Sequence, residues 1–307
     1  TGFIVLKDGR IVFERYRLGA DERSLFTSMS VAKSFVSTLV GFAIGDGLIG
    51  STDDPISDYI PELAGSAYDG VPIKAVLQMS SGVSFIEDYD ASVSDSNIVW
   101  SESLERNVTP LNEFVRKSKR RQEPFAHFHY AGIETMALGW LVSRVTGKTL
   151  ADYLSEKVWG PLGMEADANW VTDGPGAAAS EAAFCCLNAT LRDYARFGLL
   201  MAQNGAWQGR QLLPPGWVQE AMQPDRPQVQ PGKLHAGYDI GYQYQWWTFP
   251  GADHAFTGNG VNGQFLYVNP AERLVIVVTS AWPDWWSDDL ENHTYAVFAA
   301  FAEALRE

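Results

Sequence analysis

A chain of 307 residues with 46% hydrophobic and 13% aromatic content carries enough apolar surface for a large buried core, which excludes disorder and leaves one large globular unit or two closely packed lobes. Its formal charge of -14 repels nucleic acid and anionic membrane surfaces, both of which recruit basic faces, so the expected partner is a small molecule. No apolar run approaches the roughly 18–20 residues that cross a bilayer, and a soluble, cytoplasmic protein is expected.

The chain opens on Thr1 and not on Met, which reads as a trimmed or processed start. Residues 3–6 and 11–16 are rich in β-branched and aromatic side chains around Lys7, Asp8 and Gly9, the pattern of a hairpin. Residues 26–38, FTSMSVAKSFVST, follow almost directly. From Val31 the apolar positions Phe35, Leu39 and Ala43 recur at helical spacing until Gly45 and Gly47 end the run, so Ser30 falls at the helix N-terminus. Residues 51–123 alternate short apolar pieces with turn-forming clusters and predict a helical, loop-rich insertion. Within it Arg116, Lys117, Lys119, Arg120 and Arg121 form a basic run, either a local docking patch or a solvated helix end.

Further helices are expected over 132–144, 150–158, 191–203 behind an Asn188 or Thr190 cap, and 215–222. Cys185 and Cys186 are neighbours, and bridging neighbours forces an unfavourable geometry, so two free thiols are expected. After Gly232 the texture changes to strand-like runs over 238–249, 264–268 and 274–279, and a helix over 289–305 closes the chain. The simplest architecture is an α+β fold. Its antiparallel sheet lobe, flanked by helices, is built from residues 1–27 and 232–307, and a mostly helical lobe of residues 28–231 is inserted between them.

Three features carry chemistry. Ser30, Val31, Ala32 and Lys33 put a hydroxyl and an amine on one helical turn, a nucleophile and a base at a helix N-terminus whose unpaired N–H groups favour developing negative charge. Tyr130 stands just before the helix at 132–144, and a tyrosine can relay a proton once nearby cations lower its pKa. Gly258, Asn259, Gly260, Val261, Asn262 and Gly263 lead into a strand, where a glycine-rich backbone can approach a substrate and present an N–H. The α/β-hydrolase elbow, the P-loop and a G-x-G-x-x-G dinucleotide fingerprint following a strand are absent from the sequence. His127 and His129 would share one face of a strand but lack a third ligand at suitable spacing, so no metal and no cofactor are expected.

In this order and spacing the motifs resemble the serine β-lactamase and penicillin-binding superfamily, marked by S-x-x-K, a second Ser or Tyr motif and K-T-G. Within it the chain is most similar to the 6-aminohexanoate-dimer (nylon-oligomer) hydrolases and the β-lactamase-like family VIII carboxylesterases. The likeness extends over most of the sequence, including FIEDY at 85–89, LGW at 138–140 and TLRDYAR at 190–196. The resemblance implies a β-lactamase/transpeptidase-like fold with the active site between the lobes. It further implies Ser30 as acylated nucleophile, Lys33 as its base, Tyr130 as relay to the leaving group, and an oxyanion hole of the Ser30 and Val261 N–H groups. Tyr89, Asn259 and Gly260 are the implied substrate contacts. Two departures bear on substrate: Gly132 stands where class C-type β-lactamases carry Asn, and Gly258, Asn259 and Gly260 occupy the K-T-G position, removing the lysine that anchors a β-lactam carboxylate. The expectation is hydrolysis of neutral esters or linear amides. A β-lactamase or D-amino-acid peptidase is the alternative, and an inactive binding protein on the same fold is the alternative of another class.

Overall fold

The computed structural model describes residues 1–176, 178–235 and 238–306. Strands β1 (Gly2–Lys7) and β2 (Arg10–Tyr16) form the expected hairpin, turning at Asp8 and Gly9 through positive φ values of 54° and 77°. The remaining strands of the main sheet come from the far end of the chain: β3 (Gly241–Gln243), β4 (Trp246–Thr248), β5 (Phe256–Gly260), β6 (Gln264–Asn269) and β7 (Leu274–Thr279). All pair antiparallel in the order β3-β4-β5-β6-β7-β1-β2, so the first strand closes against the last. The run expected as one strand over 238–249 is a hairpin. Tyr244 and Gln245 take positive φ values of 44° and 65°, a turn that neither residue type announces in a sequence.

Side chains alternate across the sheet with the period of two that strand geometry imposes. Ile4, Leu6, Leu266, Val268, Val275 and Val277 face the main core, whereas Val5, Phe265, Tyr267 and Ile276 face a smaller cluster under the terminal helix with Phe298 and Ala302. Three helices matter for the site: α1 (Ala32–Gly45), α2 (Gly132–Thr146) and α3 (Leu191–Ala202). The terminal helix, α4 (Asp288–Ala304), starts on a Ser287 cap that accepts from Leu290 N. Helix α3 starts on Thr190, whose hydroxyl accepts from Asp193 N, one of the two caps expected.

Every residue of α1 from Ala32 to Ala43 is buried. Phe35 stacks on Phe197 of α3 at 3.8 Å between ring centroids, and burying such a ring stabilises by about 1.5–3 kcal/mol. A helix apolar on all sides belongs at the centre of a fold, and that placement gives its N-terminus a fixed position. Gln245, in the unannounced turn, ties this centre together. Its carbonyl accepts from Ser34 of α1, its side-chain oxygen accepts from Thr135 of α2, and its amide donates to the carbonyls of Val76 and Leu77.

Three expectations fare differently. The basic run lies at the end of a helix, Leu111–Lys117, and in a short strand, Lys119–Arg120. Arg116 and Lys117 pair with Glu113, and Arg120 donates to the Ala67 and Asp69 carbonyls. His127 and His129 are not on a strand; the chain there is irregular, and His129 Nε2 lies 2.6 Å from the Phe85 carbonyl. Cys185 and Cys186 are not free thiols but are joined to each other in a disulfide. Cys186 holds a left-handed backbone with φ 69°. The bend is fixed from outside, by the Trp170 indole donating to the Cys185 carbonyl and Val171 N donating to that of Cys186.

Candidate active site

Ser30 lies in a 3-10 turn, Met29–Val31, that leads into α1. Met29 takes φ 43°, an unfavourable conformation for an unbranched L-residue that persists only where the surroundings enforce it. The enforcement is visible. Ser28 N donates to the Leu187 carbonyl, Leu187 N donates back to Ser28 Oγ, and the Tyr194 hydroxyl donates to the carbonyls of Phe26 and Leu187. The turn is thus pinned to the strand Leu187–Thr190 and to α3.

One turn along α1, Lys33 Nζ donates to Ser30 Oγ at 2.9 Å and to the Phe184 carbonyl at 2.9 Å. The side chain is 1% exposed, and among the described residues no hydrogen bond joins it to a carboxylate. Desolvation lowers its pKa to about 8, opposed only by the more distant negative charge of Glu87. A lysine in that range is neutral in a substantial fraction of molecules at mildly alkaline pH and can accept a proton.

Tyr130, immediately before α2, brings its ring to 5.0 Å from Lys33 Nζ and stacks on Trp247 at 5.5 Å. The expected lowering of its pKa does not occur. Desolvation and the Glu87 carboxylate raise it, and only a hydrogen bond with Ser30 acts the other way. Tyr130 is therefore a neutral phenol that can donate a proton, with an amine and a hydroxyl beside it to replace what it gives.

Strand β5 brings up the third component. A Cβ on Gly260 would lie 2.8 Å from Ser28 O and 3.0 Å from Ser30 N, so only glycine lets the strand approach the Ser30 turn this closely. That approach sets Val261 beside Ser30, at the edge of both adjoining cavities. Asn259 points to the opposite side of the strand. Its oxygen accepts from Thr257 Oγ1 and its amide donates to Tyr295 of α4, so its side chain fastens the sheet to the helix even though the residue borders the larger cavity.

Glu87 received no role from the sequence and proves central. One carboxylate oxygen accepts from Gly132 N at the start of α2 and the other from the Tyr89 hydroxyl. A Cβ on Gly132 would meet this carboxylate at 3.2 Å and Phe184 Cβ at 3.4 Å, which explains why no amide side chain occupies that position. Tyr89 in turn packs edge-on against Trp285 at 5.1 Å. The contribution of Phe184 is a backbone carbonyl, and no residue type announces that.

Two cavities meet at Ser30. The smaller, about 150 Å³, is walled by Phe85, Val99, Trp100, Met136, Phe184 and Cys185. The larger, about 640 Å³, is bordered by Tyr130, Trp247, Trp285 and Trp286, with Asp288 and Glu291 of α4 on one side. Among the described residues lining either cavity there is no arginine or lysine. No group of three His, Cys, Asp or Glu side chains among the described residues could hold a metal.

Residues 1–301 match the Beta-lactamase family. The chain belongs to that family. Among curated proteins it is 32% identical over 291 residues to the 6-aminohexanoate-dimer hydrolase of Paenarthrobacter ureafaciens, covering 92% of this chain and 72% of the relative. A solved structure from Bacillus anthracis, assigned by name to the 6-aminohexanoate-dimer hydrolases, superposes with a TM-score of 0.86 at 28% identity, covering 99% of this chain and 79% of that one. A family VIII carboxylesterase shares the fold, with a TM-score of 0.70 at 18% identity over 94% of this chain and 88% of the other. The β-lactamase/transpeptidase-like fold expected from the motifs is the fold found, and this Beta-lactamase family member is a hydrolase of the serine superfamily.

Proposed function

We propose that the protein hydrolyses carboxylic esters or linear amides, of the kind found in 6-aminohexanoate oligomers, through an acyl-enzyme on Ser30. The observation that carries this reading is the buried Lys33 amine 2.9 Å from Ser30 Oγ, a base within reach of the proton it must take and with no carboxylate among the described residues bound to hold it charged. Ser30 attacks the carbonyl carbon while Lys33 takes the hydroxyl proton. The N–H groups of Ser30 and Val261 receive the oxyanion, and Tyr130 gives its proton to the departing oxygen or nitrogen. Water then attacks the acyl-enzyme by the reverse relay and releases the acid.

Tyr130 borders the larger cavity and not the smaller, which supports a leaving group in the larger chamber and an acyl chain in the apolar one. Tyr89 borders both chambers and Gly260 the larger one. A β-lactam or a D-alanyl peptide would bring a carboxylate into a cleft whose described lining offers Glu87, Asp288 and Glu291 and no arginine or lysine, an unfavourable pairing. Esters and amides with no charge beside the scissile bond meet no such opposition there; in a 6-aminohexanoate oligomer the carboxylate lies at the far end of an alkyl chain from the scissile nitrogen.

The test is Ser30→Ala. Hydrolysis of a short-chain p-nitrophenyl ester should fall by at least about 10⁴-fold, with circular dichroism unchanged and labelling by a fluorophosphonate lost. Retained turnover would remove Ser30 from the mechanism, and a wild-type protein that binds ligand but takes no label would be a binding protein. Parallel assays with 6-aminohexanoate dimer and a chromogenic cephalosporin rank the substrate classes.

A further inference from the structure

The bridged pair Cys185–Cys186 lies next in sequence to Phe184, whose carbonyl is the second acceptor of the Lys33 amine. Both cysteines are 5% exposed, and Cys185 forms part of the wall of the smaller cavity beside Ser30. The segment is tied on both sides. Cys185 N donates to the Ala182 carbonyl, and the Trp170 indole donates to the carbonyls of Ala182 and Cys185. Leu187, just beyond the pair, exchanges hydrogen bonds with Ser28 of the nucleophile turn. The disulfide therefore sits between the two backbone points that place the nucleophile and its base. It restricts the one stretch of chain whose carbonyl must stay within 2.9 Å of Lys33 Nζ.

Resting on the reading of Lys33 as base, we propose that the Cys185–Cys186 disulfide is a positioning element for it: the bridge keeps the Phe184 carbonyl against the amine and closes the wall that excludes water, so that reduction by a dithiol turns the enzyme down. In the chemical step a dithiol thiolate attacks Cys185 Sγ, the sulfur on the cavity side, and the S–S bond breaks with Cys186 leaving as thiolate. The reagent's second thiol closes on the mixed disulfide, releases Cys185 and departs as a cyclic disulfide. Two electrons pass from the dithiol to the pair, and each cysteine sulfur takes up one proton.

The groups facing Lys33 are the Ser30 hydroxyl, the Phe184 carbonyl and ring, the Tyr130 ring and, farther off, the Glu87 carboxylate. Desolvation is the largest influence on the amine, so admitting water should move its titration upward toward an ordinary lysine.

Dithiothreitol and p-nitrophenyl ester turnover test this directly. Alkylation of the untreated, denatured protein should label no cysteine, and alkylation after reduction should label two. Reduction should move the ascending limb of kcat/KM against pH upward by about one pH unit and lower kcat/KM near pH 8 by about fivefold, and removal of the reductant with reoxidation should restore both. Cys185→Ala/Cys186→Ala should match the reduced enzyme and ignore dithiothreitol. Two labelled thiols in untreated protein, or an unmoved pH profile after complete reduction, would overturn the proposal. So would loss of the fold on reduction, since the bridge would then serve global stability. Turnover surviving in Ser30→Ala would instead defeat the acyl-enzyme reading, whatever the thiol state.

Discussion

Helices α1 and α2 each bury an ionisable side chain in the first turn, and the two behave alike until their surroundings are compared. Lys33 and Glu134 are both 1% exposed, and desolvation moves both to about 8, the lysine downward and the carboxyl upward. Lys33 points at a hydroxyl that borders two cavities. Glu134 accepts from Ser81 N at 3.2 Å with the Tyr68 side chain beside it and borders neither cavity. Burial alone thus perturbs a pKa as strongly at a structural position as at the proposed catalytic one, and what separates them is whether a reacting atom can reach the group. The two also oppose each other in linkage. The folded-state pKa of Glu134 is raised, so its contribution to stability is fully present below about 4.5 and is lost as pH rises through about 8. That of Lys33 is depressed, so its cost is fully present below about 8 and is relieved as pH rises toward 10.5.

Substituting the two groups should separate their roles most sharply. Lys33→Met should lower kcat/KM for a p-nitrophenyl ester by roughly 10³-fold or more, while raising the urea midpoint at pH 7, because the desolvation cost disappears. Loss of stability together with activity would make Lys33 a structural residue like Glu134. Tyr130→Phe should cost about 10²-fold, more with an amide than with a p-nitrophenyl ester, whose leaving group needs no proton; equal losses for both would remove the relay. In the wild type, kcat/KM should rise with pH along a limb centred near the Lys33 value of about 8, and a limb near 6 would point to another base. Glu134→Gln should show the smallest effect on turnover, within about threefold, yet flatten the fall in unfolding free energy between pH 5 and 8 that its raised pKa predicts, a slope measurable by urea titration at several pH values. A large activity loss in that variant would break the distinction between the two helices.

Local chemistry was legible and distant chemistry was not. Ser30 and Lys33 are three residues apart on one helix, so their spacing alone places amine beside hydroxyl. The hairpin of β1 and β2, the Thr190 cap and the helix at 132–146 follow from patterns within a few residues of each other. Glu87 stood within a motif but carried no sign that its carboxylate would cap α2 at Gly132, 45 residues away. Tyr130 was legible as a candidate, yet its charge state was read the wrong way, because the sign of the shift depends on desolvation and on Glu87 and not on the nearby amine. The cysteine pair was misjudged for a related reason: whether neighbours bridge depends on the left-handed backbone at Cys186, which Trp170 and Val171 enforce from outside.

The sequence by itself determined the serine–lysine pair proposed as nucleophile and base, the alternation that gives the sheet two apolar faces, and the missing lysine of the third motif, since each is a matter of residue type at short spacing. Only the tertiary structure decided that the Phe184 carbonyl, 151 residues along the chain, would hold Lys33, that Gly260 would bring Val261 to Ser30, and that Tyr130 would keep its proton. These depend on which surfaces meet and how much water they exclude, and local periodicity carries neither.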